Sequence, residues 1–174
     1  MTTRRSKNTL SVHAGSRGDS QFKGTVTPIF PSSAYDYEDA PSIYPRYFNT
    51  PNQKAVIEKL AALENAEDGL VFGSGMAAIL TSLFAMLKKG DHAVFQSDLY
   101  GGTHHAIVSE LPRYGMDFTM VEGSDPQNFE KAIKRETRVI FIETPSNPTL
   151  KITDIAAVAN VAKKHGLITL IDNT

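Results

Sequence analysis

The sequence ends with Leu167-Ile168-Thr169-Leu170-Ile171-Asp172-Asn173-Thr174, and its fold class is clearest in this segment. Its apolar, β-branched first part is typical of a parallel strand buried on both faces. An aspartate directly after such a strand lies at the carboxyl edge of the sheet, where open α/β sheets bind their ligands. Asp172 is therefore a candidate for chemistry. Because both faces of such a strand need cover, we expect the chain to be the first part of a longer polypeptide.

Four more apolar runs of strand length precede this stretch. They are Leu70–Phe72, Ala93–Phe95, Phe118–Val121 and Val139–Ile142. Helical segments fill the gaps between them, and this alternation is typical of an α/β fold. We expect a mostly parallel sheet with helices on both faces, incomplete at the C-terminus.

Capping residues mark the predicted helices. Thr50 followed by Pro51 is typical of a helix start, and this helix should run to about Asn65. The helical pattern of Gly101–Tyr114 is interrupted by Pro112. The other predicted boundaries are Gly90, which closes the helix after Phe72, Asp125-Pro126, which opens another, and Thr153, which caps the one ending at Lys163–Gly166.

The first 50 residues differ from the rest of the chain. Among scattered aromatic residues they carry Pro28, Pro31, Pro41 and Pro45. Proline at this density suits an extended arm laid over another surface, often that of a partner subunit. The predicted organisation is an N-terminal arm, residues 1–50, and an α/β domain, residues 51–174.

Composition excludes several classes of protein. With 41% hydrophobic and 21% charged residues the chain is neither disordered nor fibrous. Its 18 basic and 19 acidic residues give no electrostatic case for nucleic acid or an anionic membrane. Because cysteine is absent, disulfides, cysteine-ligated zinc and thiol nucleophiles are excluded, and no metal site is predicted. Without a signal-peptide core or a membrane-spanning apolar stretch, we expect a cytoplasmic location.

The first chemical motif is the glycine-rich turn of Phe72–Ala78, between an apolar run and a helical segment. Glycines let the backbone approach a phosphate closely, and the first N–H groups of a helix stabilise the anion. Gly73, Gly75 and Ala78 match the dinucleotide fingerprint, and Asp98 lies where a ribose-binding acid would be needed. A tight turn without a ligand explains the same glycines, so both interpretations stay open on this motif alone.

Five segments decide between cofactors. They are Tyr44-Pro45-Arg46, Gly73–Met76, Asp98–Thr103, Glu143–Thr149 and Asp172–Thr174. In this order they resemble the pyridoxal-phosphate (PLP) enzymes of cysteine and methionine metabolism. That family contains cystathionine γ-synthase, cystathionine lyases, methionine γ-lyase and O-acetylhomoserine sulfhydrylase. The resemblance spans nearly the whole chain and places NAD(P) binding second.

The resemblance implies a PLP site. PLP draws electrons from its substrate when its pyridine nitrogen is protonated, and Asp172 would hold that nitrogen. Tyr100 would stack on the cofactor ring near the reacting centre. Gly75 and Met76 would bind the phosphate through their backbone N–H groups. Asn147 would form a hydrogen bond with the phenolic oxygen of the cofactor. Each position also has an explanation without a cofactor, as a turn, as packing or as ordinary core.

Tyr44 and Arg46 resemble the family's Tyr-x-Arg pair, which reaches the phosphate of the neighbouring subunit's cofactor. A guanidinium group suits a phosphate, although both side chains are also ordinary at a surface. The resemblance implies at least a homodimer and usually a homotetramer. The segment Asn49–Asn52 departs from the family's common Asn-Pro-Thr.

The implied reaction is β- or γ-elimination or replacement on sulfur amino acids or activated homoserine. Gly102 stands where methionine γ-lyases tend to carry cysteine, which disfavours that member. The family's imine-forming lysine follows the equivalent of Asp172, so we expect this chain alone to hold PLP non-covalently and to be inactive. The alternatives are an NAD(P)-binding Rossmann-type domain and a non-catalytic fragment that pairs with full-length subunits.

Overall fold

The computed structural model describes residues 5–36, 38 and 42–174 and divides the chain into two compact units. The first unit runs up to Gly73, and the second is Ser74–Thr174. The predicted arm falls within the first unit, and its Pro41 lies outside the described residues. No helix of the described residues is long and apolar enough to cross a membrane.

Two helices pack together in the first unit, α1 (Lys7–His13) and α2 (Pro51–Glu64). The helix α1 was not predicted. A Cβ atom at Gly15, where φ is +65°, would collide with the carbonyl oxygen of Ala55 in α2, so a glycine is needed there. The predicted start of α2 is confirmed, because Gln53 Oε1 accepts both the N–H (3.2 Å) and the hydroxyl (2.8 Å) of Thr50.

The predicted strand at Leu70–Phe72 is wrong, because this segment is irregular and no described strand pairs with it. The Leu70 side chain is 61% exposed, and the ring of Phe72 packs on that of Phe48 with centroids 5.6 Å apart. A three-residue apolar run fits an extended coil as well as a strand when no neighbouring strand pairs with it.

The second unit contains a four-stranded sheet. Its strands are β1 (His92–Gln96), β2 (Asp117–Val121), β3 (Thr137–Glu143) and β4 (Ile168–Asp172). All pairings are parallel, in the order β2-β1-β3-β4, which confirms the predicted α/β fold. In register, Gln96 pairs with Val121 and Glu143 with Asp172. The carboxyl ends of the strands therefore meet along one edge.

Helices cover both faces of the sheet, as the alternation predicts. They are α3 (Gly75–Met86), α4 (Gly101–Ser109), α5 (Pro126–Lys131) and α6 (Ile155–Lys164). On one face α3 and α4 pack against Phe95 and Phe141. On the other face α5 and α6 pack against Val94 and Ile140. Neighbouring strand residues thus alternate between two apolar cores.

Two predicted helix boundaries are wrong. The helix α3 ends at Met86 and not at Gly90, because the next residues turn, with the Lys88 N–H donating to Asp91 Oδ2 at 3.0 Å. The cap of α6 is Asp154, which accepts the Ala157 N–H at 2.9 Å. The expected cap, Thr153, instead donates its hydroxyl to Gln96.

The helical segment with Pro112 divides into α4 and a 3-10 helix, Leu111–Tyr114. The proline lies in the first turn of that 3-10 helix, where its missing N–H costs nothing.

The strand β4 differs from its expected burial on both faces. Ile168 is 43% exposed and Ile171 is 39% exposed, because β4 is an edge strand that pairs with β3 alone among the described strands. Leu170 still packs partly against the core of α3 and α4.

Candidate functional site

A cavity of about 400 Å³ opens in the second unit, at the carboxyl edge of the sheet. Its lining residues are Ser74, Gly75, Met76, Tyr100, Glu143, Pro145, Asn147, Asp172 and Thr174. They come from the start of α3, the start of α4 and the ends of β3 and β4. The cavity thus brings together five of the seven residues that the sequence predicts for the site, all except Tyr44 and Arg46.

The start of α3 presents backbone N–H groups at this cavity. Ser74 Oγ accepts the Ala77 N–H at 3.1 Å, and Gly75 and Met76 form the first turn of a 12-residue helix. The first N–H groups of a helix have no acceptor within it and suit an anion. A Cβ atom at Gly75 would meet nothing within 4 Å. The backbone therefore borders open space that a phosphate can occupy.

Tyr100 stands at the first residue before α4 with its side chain 47% exposed. A Cβ atom at Gly102 would lie 2.6 Å from Tyr100 Cε1 and 3.3 Å from Met76 Sδ. The Thr103 hydroxyl donates to the same sulfur at 3.7 Å. The Met76 side chain is thus part of the packing beside the ring, and glycine at position 102 makes room for the ring.

Asn147 lies in the loop that follows β3. The Ser146 hydroxyl and the Thr149 hydroxyl are 2.7 Å apart, and the Leu150 N–H donates to the Ser146 carbonyl oxygen at 2.7 Å. This is the turn that the sequence also allows, and the turn places Asn147 at the cavity.

Asp172 ends β4 and is half-buried. Its Oδ1 accepts the Thr174 N–H at 3.1 Å and the Thr174 hydroxyl at 2.7 Å. The Thr144 N–H donates to the Asp172 carbonyl oxygen at 3.1 Å, which joins this strand end to the loop after β3. The turn fixes the carboxylate at the cavity.

Sequence reasoning missed Glu143 as a site residue. Its side chain lines the cavity, and the residue is only 4% exposed. It accepts the backbone N–H groups of Tyr100 at 2.8 Å and Asn147 at 2.7 Å. The signal that singled out Asp172 also applies here, because Glu143 directly follows the apolar run Val139–Ile142.

Asp98, the acid required by the dinucleotide interpretation, is engaged elsewhere. Its Oδ2 lies 2.6 Å from Lys151 Nζ, and the residue does not line the cavity. The hydrogen bond from Lys151 lowers the pKa of Asp98, and the same hydrogen bond raises the pKa of Lys151. Because Asp98 is paired with Lys151 and lies outside the cavity, the structure does not favour the dinucleotide interpretation.

Tyr44 and Arg46 lie in the first unit, at a 3-10 helix of Pro45–Tyr47. The Tyr44 N–H donates to Asn49 Oδ1 at 2.8 Å, and Gln53 Nε2 donates to the Pro45 carbonyl oxygen at 3.0 Å. Both side chains are exposed. The segment that departs from the common pattern therefore holds this turn in place.

Comparison with known proteins agrees with the family resemblance found in the sequence. The family model described as Cys/Met metabolism PLP-dependent enzyme matches residues 8–174. Cystathionine gamma-lyase of Bacillus subtilis is 40% identical over 172 residues, which cover 97% of this chain and 45% of that protein. The crystal structure of metB from Corynebacterium glutamicum has a TM-score of 0.91 and 36% identity over 98% of this chain.

Cystathionine gamma-lyase from Lactobacillus plantarum, crystallised with L-serine, has a TM-score of 0.90 and 38% identity over 98% of this chain. The chain spans about 45% of each of these three proteins.

Proposed function

The chain belongs to the Cys/Met metabolism PLP-dependent enzymes, and on that premise we propose that the cavity at the carboxyl edge of its sheet is part of the PLP site. The observation that carries the proposal is the convergence of Gly75, Met76, Tyr100, Asn147 and Asp172 on one cavity. In the sequence these residues are spread over almost a hundred positions, and each has the chemistry that one part of the cofactor requires.

The residues present fit the cofactor. The first turn of α3 and the open space beside Gly75 suit its phosphate. The exposed ring of Tyr100 suits its pyridine ring, and the fixed carboxylate of Asp172 suits its ring nitrogen. PLP, when bound, supplies an electron sink for bonds at the α-carbon of an amino acid.

Each side chain then has a defined task. Asp172 would keep a proton on the pyridine nitrogen, because an adjacent carboxylate favours the charged form of that nitrogen. Tyr100 would hold the ring plane by stacking, and the side-chain amide of Asn147 would donate a hydrogen bond to the phenolic oxygen. We propose that the whole protein carries out β- or γ-elimination or replacement on sulfur amino acids or activated homoserine, in the cytoplasm.

The proposal extends to a partner subunit. Tyr44 and Arg46 are exposed, and the hydrogen bonds of Asn49 and Gln53 hold them on a defined turn. A guanidinium group carried on this turn can bind a phosphate with two parallel hydrogen bonds. We therefore assign the pair to the cofactor phosphate of a neighbouring subunit in a homodimer or homotetramer, in which the N-terminal arm, residues 1–50, makes the crossing.

Cofactor titration tests the binding function. The chain is titrated with pyridoxine 5′-phosphate, which lacks the aldehyde and so cannot react with surface lysines, and binding is followed by tyrosine fluorescence. We expect saturable binding that Asp172→Asn weakens and that Asp125→Asn, at the cap of α5 and outside the cavity, leaves unchanged. Saturable binding of reduced nicotinamide dinucleotide with none of the pyridoxine phosphate would instead support the dinucleotide interpretation.

A further inference from the structure

One buried carboxylate joins two residues of the proposed site. Glu143 Oε2 accepts the Tyr100 N–H at 2.8 Å, and Glu143 Oε1 accepts the Asn147 N–H at 2.7 Å. Glu143 is 4% exposed and ends β3. Burying a carboxylate is costly unless it is hydrogen-bonded, and hydrogen bonds to an ionised acceptor are the strong ones. Both oxygens are therefore committed to backbone donors.

The two donors belong to separate parts of the chain. Tyr100 precedes α4, and Asn147 lies 47 residues later, in the loop after β3. No ladder formed by the described strands contains either residue, so strand pairing does not set the distance between them. The carboxylate of Glu143 bridges them directly and therefore sets that distance.

Glu143 is itself held in place by a buried glutamine. Gln96 is 1% exposed, and its Nε2 donates to the Glu143 carbonyl oxygen at 3.1 Å. Gln96 Oε1 accepts the Thr153 hydroxyl at 2.9 Å. A Cβ atom at Gly123 would lie 2.8 Å from Gln96 Cδ, so the glutamine side chain is also closely packed. A buried network with its polar groups satisfied in this way gives Glu143 a single position.

We propose that Glu143 is a positioning residue that sets the spacing of Tyr100 and Asn147 and thereby the orientation of the cofactor ring between them. This inference rests on the proposed function. Glu143 acts through backbone N–H groups, whereas Asp172 acts on the ring nitrogen directly. The loss of the Glu143 carboxylate should therefore alter the orientation of the cofactor ring in the site as well as the affinity for the cofactor.

The test compares Glu143→Gln with Asp154→Ala. In Glu143→Gln the amide oxygen can accept one of the two N–H groups, and the NH₂ group meets the other donor unfavourably. Asp154→Ala removes a carboxylate that also accepts a backbone N–H, at the start of α6 and outside the cavity. The readouts on the whole chain are the affinity for pyridoxine 5′-phosphate, which cannot react with surface lysines, the induced circular dichroism of this bound compound, and the unfolding midpoint.

We expect Glu143→Gln to weaken pyridoxine 5′-phosphate binding by on the order of tenfold to a hundredfold, as the loss of a residue that orients metal ligands does at metal sites. It should also change the induced circular dichroism. Glu143→Asp, which keeps the charge, should restore part of both. Asp154→Ala should lower the unfolding midpoint without changing the dichroism per bound cofactor. Unchanged affinity and dichroism in Glu143→Gln would overturn the inference.

If Glu143→Gln does not fold, a measurement on the unaltered chain tests the positioning role of Glu143 instead. Amide hydrogen exchange of the cofactor-free protein should show slow exchange at both Tyr100 and Asn147, and fast exchange at either would overturn the inference. The proposed function and the positioning role of Glu143 can be rejected independently of each other. If the unaltered chain does not bind pyridoxine 5′-phosphate, the cofactor site is rejected, whereas equal affinity and equal dichroism in the unaltered chain and Glu143→Gln reject the positioning role alone.

Discussion

Glu143 and Asp172 occupy paired positions at the carboxyl ends of β3 and β4. Two neighbouring carboxylates thus stand at the same cavity in different surroundings. Glu143 is buried and bonded to two backbone N–H groups, whereas Asp172 is half-buried and bonded to Thr174. In the site that we propose, the two residues have separate tasks, because Glu143 supports the backbone around the cavity and Asp172 is left to interact with the cofactor.

Asp172→Asn should weaken cofactor binding by about tenfold, which is what one lost interaction with a charged partner costs. Stability to denaturant should change little, because an asparagine side-chain oxygen can still accept the hydrogen bonds from Thr174. Pyridoxine phosphate titration and urea unfolding measure the two quantities. A large loss of stability with unchanged binding would show that Asp172 only shapes the turn.

Gly102→Ala should disturb Tyr100. The new methyl group would lie 2.6 Å from Tyr100 Cε1, so the ring must move. Gly101→Ala is a matched control in the same helical turn, because its Cβ atom would meet nothing within 4 Å. We expect Gly102→Ala alone to reduce pyridoxine phosphate affinity, by about threefold to tenfold for one weakened aromatic contact. Equal affinity in the two variants would contradict stacking by Tyr100.

His92 should make stability depend on pH. The side chain lies between the hydroxyls of Thr137 (2.8 Å) and Thr119 (2.9 Å), and the residue is 1% exposed. Burial, with a smaller contribution from Lys134, lowers the pKa of His92 from its ordinary 6.5, although Asp117 and Glu136 oppose the shift.

The unfolded chain therefore takes up the proton first as pH falls. The contribution of His92 to stability is complete above pH 6.5 and is lost as pH falls from there through the lowered pKa. Urea unfolding at a series of pH values measures this loss. His92→Gln should reduce the slope of stability against pH below 6.5. An identical slope in the unaltered protein and in His92→Gln would refute the prediction.

The aromatic centre of the sheet should dominate stability. Phe95 is fully buried, with ring centroids 5.7 Å from Phe141 and 6.5 Å from Phe118. Phe95→Ala should reduce the free energy of unfolding by about 3–5 kcal/mol, the usual cost of such a cavity. Phe22→Ala, at a residue 78% exposed, should cost less than about 0.5 kcal/mol. Denaturant unfolding followed by circular dichroism measures both, and a similar cost at both positions would contradict this core.

Much of the fold can be predicted from the sequence because apolar residues recur at different spacings in strands and in helices. The alternation of Val139–Ile142 between two cores follows from strand geometry alone. Burial of β4 cannot be predicted in this way, since it depends on which element lies beside the strand. The cap at Asp154 was missed because the neighbouring Thr153 is also a favourable cap residue, and its hydroxyl instead donates to a glutamine far away in sequence.

The candidate site, like the fold, can be predicted from the sequence only in part. Asp172 and the turn at Gly75 are predictable, because strand ends and helix starts place them at the sheet edge. The bridge made by Glu143 depends on two backbone N–H groups whose positions only the folded chain supplies. Its acidic side chain after a strand is visible in the sequence, but its partners are not.

Amide chemical-shift mapping with pyridoxine 5′-phosphate reports directly on a PLP site at the carboxyl edge of the sheet. We expect saturable shifts at Gly75, Met76, Tyr100, Asn147 and Asp172, with α5 and α6 unchanged. Shifts that do not saturate, or that lie on the faces of the sheet and leave these five residues unchanged, would contradict it.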